Sequence, residues 1–108
     1  GSDRAFNDEE IAAAIVDASP VAEGRTEGDL AIEIDRTSTE ADVYPVVLVS
    51  YLIACEEYTD PASAELVKAY FNYIVSEEGQ TTAADSAGSA PISSDLFDKA
   101  TAAIELIK

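Results

Sequence analysis

The sequence predicts an α/β domain of about three helices with two or three strands, and three observations carry that prediction. A near-unbroken apolar run spans residues 43–55 and is entered through Tyr44-Pro45. Leu30, Ile32 and Ile34 alternate with Ala31, Glu33 and Asp35, the period of a strand with one buried face. Helix-start chemistry and apolar stripes at helical spacing recur near both ends of the chain.

The first helix opens with Asn7 as N-cap, Asp8 and Glu9 in the positive first turn and Glu10 reaching back. Phe6 and Ile11 stand where a hydrophobic staple would cross that cap. Ile11, Ala14, Ile15 and Ala18 make one narrow stripe, which Ser19-Pro20 ends. Residues 21–28 are polar and punctuated by glycine, so they read as a surface loop. The alternating segment 30–34 follows, short enough that a helical reading stays open beside the strand. Residues 36–42 form another polar connection, and Pro45 permits a strand only at its beginning or edge. Beyond it, residues 46–54 are too continuously apolar for a strand with one wet face, and a central strand covered on both sides fits better.

Asp60 as N-cap with Pro61 at the first helical position starts the second helix, where the missing proline N–H costs nothing. Leu66, Val67, Tyr70, Phe71 and Ile74 are expected to form a wide apolar face, and Gly79 to supply a left-handed stop. Residues 80–90 are small and polar and read as a loop. Pro91-Ile92 then leads to Ser93 or Ser94 as cap of a last helix, whose Leu96, Phe97, Ala100, Ala103, Ile104 and Ile107 share one side.

At 108 residues the chain has room for one core, with roughly 60–70% of its unfolded surface buried. Acidic side chains number 22 against 6 basic ones, a net charge of -16, which repels nucleic acid and anionic lipid. Cys55 is the only cysteine, so no intrachain disulfide forms. It closes an apolar run and is expected in the core. The absence of histidine removes the commonest zinc ligand and proton shuttle. The carboxylate groups Asp8-Glu9-Glu10, Glu56-Glu57 and Glu77-Glu78 invite an acid/base or cation-binding reading. All three fall near element ends, where solvation and dipole compensation explain them better. Among the tyrosines, Tyr51, Tyr58, Tyr70 and Tyr73 could suggest a stacking surface, but Tyr70 is expected in the core and Tyr73 off the main stripe. No catalytic, ligand-binding or metal residue is assigned, no cofactor is expected, and the chain does not read as an enzyme.

Set in order, the elements resemble the C-terminal part of the phosphate-binding protein of the bacterial phosphate ABC importer, a class II periplasmic solute-binding protein. The likeness covers nearly the whole chain and concentrates after residue 43. It lies in Asp42-Val43-Tyr44-Pro45-Val46-Val47, in the run from Ala64 through Lys68, Tyr70 and Phe71 to Glu78-Gly79-Gln80, and in Ser89-Ala90-Pro91-Ile92 leading to Lys108. Glu40 and Ala41 depart from the glycine common before the aromatic-Pro step, and Ser89 and Ser93 replace a frequent aromatic residue and proline.

Residues 1–2 (Gly1-Ser2), with no Met or signal-peptide pattern, read as a vector scar, and the resemblance implies the division of the rest. Residues 3–42 would form a helix plus a short strand or loop near the inter-lobe region, and residues 43–108 the apolar strand and two helices that complete the C-terminal lobe. The resemblance implies phosphate and the ABC permease as partners of the parent protein, in the periplasm or at the cell surface, with or without a lipid anchor. The family's anion ligands precede the matched region, so no residue here inherits a ligand role. An apolar strand without its neighbours would leave unpaired edges, so self-association or strand exchange is expected. The alternative reading is an independent acidic protein-interaction module that recruits a basic partner and closes its own core as a monomer.

Overall fold

The computed structural model describes residues 9–39 and 46–108, with side-chain surroundings from residue 13 onward. Four helices follow in chain order: α1 (Glu9–Asp17), α2 (Pro61–Val75), α3 (Glu77–Ala87) and α4 (Ser94–Glu105). Among the described residues there is no sheet, so the α/β prediction with two or three strands is overturned and the domain is mostly helical. The cap residues Asn7 and Asp8, the staple residue Phe6 and the Tyr44-Pro45 step lie outside the described residues.

The start of α2 follows local chemistry. Asp60 sits in extended backbone, its carboxylate accepts from the Ala62 N–H at 3.0 Å, and Pro61 takes the first helical position. The end of α2 corrects the sequence reading. Ser76, with ψ 160°, breaks the helix and caps two helices at once. Its N–H donates to the Asn72 and Tyr73 carbonyls at 3.1 Å, and its hydroxyl accepts from the Gly79 N–H at 3.1 Å to open α3. Gly79 is therefore buried inside the first turn of α3 rather than acting as a left-handed stop. That role falls to Gly88, with φ 69°, whose N–H closes α3 on the Ala84 carbonyl at 2.9 Å.

Residues 80–87, read from sequence as loop, belong to α3. Their small, mostly polar side chains carry almost no apolar periodicity, but local capping suffices. Ser76 stands at the entry, Glu77 and Glu78 in the first turn offset the positive end of the helix dipole, and Gly88 ends it. Ser93 caps α4, its hydroxyl accepting from the Leu96 N–H at 3.2 Å and donating to the Asp17 carboxylate at 2.7 Å, which ties the end of α1 to the start of α4.

The core is the seam of α2 and α4: Ala64, Ile104 and Ile107 are buried, and Tyr58, Val67, Phe71 and Val75 pack against them. Ala64, Val67, Phe71 and Val75 repeat at helical spacing, and the small Ala64 side chain lets α4 approach closely. The buried stripe is thus narrower than the sequence suggests and turned away from Leu66, which is 72% exposed, and Tyr70, 60% exposed. Neither joins the core. Each fully buried aliphatic side chain contributes about 1.5–3 kcal/mol, and the described residues have few of them. The Lys68–Glu105 pair across the seam, at 3.4 Å with Glu105 largely exposed, adds little.

The predicted strand at 30–34 reduces to one antiparallel bridge between Val21 and Ile32. It is framed by Ala22 N–H to Ala31 O at 2.8 Å and Glu33 N–H to Pro20 O at 2.9 Å. The loop between them turns at Gly24 and Gly28, with φ 75° and 84°. Gly28 sits so near α4 that a Cβ there would lie 2.8 Å from Leu106 Cδ1. Lys108 closes the chain against the start of the helical region, its N–H donating to Glu56 O at 2.7 Å and its carbonyl accepting from Tyr58 N–H at 2.8 Å.

Candidate functional site

The feature that stands out is the apolar run itself. Residues 46–55 form neither helix nor strand, which corrects the expectation of a central strand covered on both faces. From 46 to 50 exposure alternates, with Val47 and Val49 half-buried, and from 51 to 55 every residue is exposed. Leu48 and Ile53 are 90% and 91% exposed. Strand hydrogen bonds come from another segment's backbone, and nothing among the described residues supplies one. Instead the run is held by side chains: Arg36 Nη1 donates to Val47 O at 2.8 Å, Tyr51 Oη accepts from the Ile32 N–H at 3.1 Å, and Tyr58 Oη accepts from the Cys55 N–H at 3.2 Å. Cys55 is exposed rather than buried in the core.

Next to the run lies a half-open groove of about 280 Å³ lined by Thr26, Glu27, Glu56, Glu57, Leu106 and Lys108. It brings Glu56-Glu57 beside Glu27, about thirty positions earlier in the chain, a juxtaposition that no local motif announces. Among the described residues no three Asp, Glu, Cys or His side chains are grouped to hold a metal ion. Glu77-Glu78 lies on the first turn of α3, and Asp8 lies outside the described residues.

The other tyrosines do not form one surface with the run. Tyr58 packs against the α2–α4 core, and Tyr70 and Tyr73 are exposed on α2. At the start of α2, α3 and α4 the chain's own Asp60, Ser76 or Ser93 oxygen takes one first-turn N–H. Arg25 is engaged by Asp29 at 3.0 Å.

Two exposed carboxyls are held below their ordinary value by local hydrogen bonds. Asp29 accepts from the Ala31 backbone N–H and from Arg25, and Asp35 accepts from the Thr37 hydroxyl and then its N–H. Both are turn-forming arrangements and face no common cavity. A second junction, missed in the sequence reading, is the Gly79-Gln80 pair. The Gln80 amide donates to Ile74 O at 2.8 Å and accepts from the Ile92 N–H at 3.0 Å, joining α2, α3 and the approach to α4.

Compared with protein-family models, with curated proteins and with solved structures, the chain gives no match. None of the described helices is long and apolar enough to cross a membrane.

Proposed function

We propose that the chain is part of an extracytoplasmic solute-binding protein that captures phosphate for ABC-transporter import, in which it serves as scaffold and contributes no anion ligand. The observation that carries this reading is the order of its sequence pieces. An aromatic-Pro step at Tyr44-Pro45 leads into an apolar run; a helix bearing Lys68, Tyr70 and Phe71 follows with Glu78-Gly79-Gln80; then Ala90-Pro91-Ile92 precedes a terminal amphipathic helix. The tight Gly79-Gln80 junction gives two of those residues a physical reason to stand together.

Two further features support a piece of a larger body over the acidic interaction module. A self-contained module closes its own core, whereas here Leu48, Ile53 and Leu66 stand exposed beside a thin helical seam. In α3 and α4 a serine hydroxyl takes one first-turn N–H and acidic side chains stand in the first turn, which disfavours an anion there. In the parent protein the two lobes would close on phosphate and dock on the permease, at the periplasmic or outer cell surface.

Calorimetry tests the reading in two arms. The 108-residue chain is expected to show no phosphate binding, and the chain extended upstream by its natural sequence to bind phosphate. Micromolar binding by the chain alone, or an unrelated domain upstream, overturns it.

A further inference from the structure

The uncharged run has an occupant that can be argued from surface area and charge. A compact monomer of 11.4 kDa exposes about 5,800 Å², whereas this chain exposes 7714 Å², an excess of roughly 1,900 Å². Its radius of gyration of 15.3 Å likewise exceeds the about 13 Å of a compact chain this long. A standard protein–protein interface takes about 800 Å² from each partner, and within the run Val46, Leu48 and Ile53 are 70%, 90% and 91% exposed.

Charge then selects the surface. With a net charge of -16, two copies repel over most of their surfaces, but residues 43–55 contain no charged side chain. This is the apolar stretch on which a second copy meets no like charge.

The backbone narrows the geometry. Alternating exposure from 46 to 50 is the period of extended chain, in which successive residues present N–H and C=O to opposite edges. Arg36 occupies the edge that Val47 shares with Val49. Leu48 and Ser50 face the other edge, an extended continuation puts Leu52 there too, and none of the three makes a backbone hydrogen bond among the described residues.

We propose that two copies of this chain pair antiparallel through residues 46–54 about a two-fold axis at Ser50. Leu48 of each copy then lies opposite Leu52 of the other, Val47 opposite Ile53, and Val46 opposite Ala54. Glu56 and Glu57 fall outside the paired window, so the remaining repulsion is long-range and screened by salt. The pairing is a property of the 108-residue chain alone; in the importer reading other parts of the parent would cover the same run, so association of this chain and phosphate binding by the extended chain fail separately.

Sedimentation equilibrium at low and high salt, with cysteine capture, tests the pairing. The expected result is a mass that rises from 11.4 kDa to roughly twice that with concentration, further at high salt. Leu48→Lys keeps the chain monomeric, although it lowers the net charge and would favour association on general electrostatic grounds. Its 90% exposure makes a folding defect an unsuitable explanation, and an unchanged circular dichroism spectrum checks this.

In a Cys55→Ser background, Ser50→Cys places two thiols opposite one another with Cα atoms about 5.5 Å apart, within disulfide reach. It should cross-link about tenfold faster than Ser86→Cys on exposed α3, because pairing raises the effective thiol concentration. Three outcomes overturn the proposal: a monomer at every concentration and salt, association that survives Leu48→Lys, or equal cross-linking at the two cysteine positions.

Discussion

Gly79→Ala is the sharpest probe of the helical half of the molecule. A Cβ at this position would lie 2.1 Å from the Tyr73 carbonyl oxygen, 2.9 Å from that of Ile74 and 3.0 Å from Tyr73 C. All three are backbone atoms at the end of α2, so no side-chain rotation relieves the contact. Ordinary contact between heavy atoms is about 3.5–4.0 Å, so α2 and α3 must separate by roughly 1 Å or more.

Overpacking of this kind costs about 1–3 kcal/mol. Separation also weakens the Ser76 cap on the Gly79 N–H, worth about 1 kcal/mol. Against this, alanine in a helix gains about 1 kcal/mol over glycine, leaving a net loss of about 1–3 kcal/mol. For a chain of this length the loss lowers the melting midpoint by roughly 10 °C, read by circular dichroism at the helix band. Gly88→Ala is the comparator, since it has open space but φ 69°, and it should cost only about 1 kcal/mol. A Gly79→Ala chain that melts at or above the parent temperature would refute the close approach of α2 and α3.

Other consequences follow from the same geometry. Gln80→Ala removes the bridge between Ile74 O and the Ile92 N–H, costing about 1–3 kcal/mol, and should speed hydrogen exchange at Ile92 while leaving α1 unchanged. Ile104→Ala, in a seam with few buried side chains, should cost about 2–5 kcal/mol and abolish the cooperative thermal transition; a preserved transition would show that the core lies elsewhere. Asp29 and Asp35, held below the ordinary carboxylate value of 3.8, contribute turn stability that is fully present above that value and lost as pH falls through their lowered folded values. Carbon-detected titration should place both carboxyls below the ordinary aspartate value of 3.8; midpoints at that value would remove the two turns.

The legible parts of the fold are those whose hydrogen bonds close within a few residues. Asp60-Pro61 fixes the start of α2, and Ser93 that of α4, because a cap satisfies N–H groups two or three positions away. Helix α3 was missed for a related reason. Its capping is present at Ser76, Glu77, Glu78 and Gly88, but the helix carries almost no apolar stripe. Gly79 was misassigned because a glycine after a helix suits either a left-handed stop or a close approach, and only the position of Tyr73 O distinguishes them. The groove of Glu27, Glu56 and Glu57 was not legible at all, since its walls meet through the docking of Gly28 on Leu106.

By itself, the sequence determined the acidity, the helix start at Asp60, a last start at Ser93 or Ser94, and the neutrality of residues 43–55, because each depends on side-chain identity or on bonds between near neighbours. Tertiary structure decided which side of α2 is buried, what Gly79 does, and the state of the apolar run. Residues 46–54 have the composition of a covered strand, but a strand is completed by the backbone of another segment. Among the described residues no backbone pairs with them, and from residue 51 to 55 the run stays exposed.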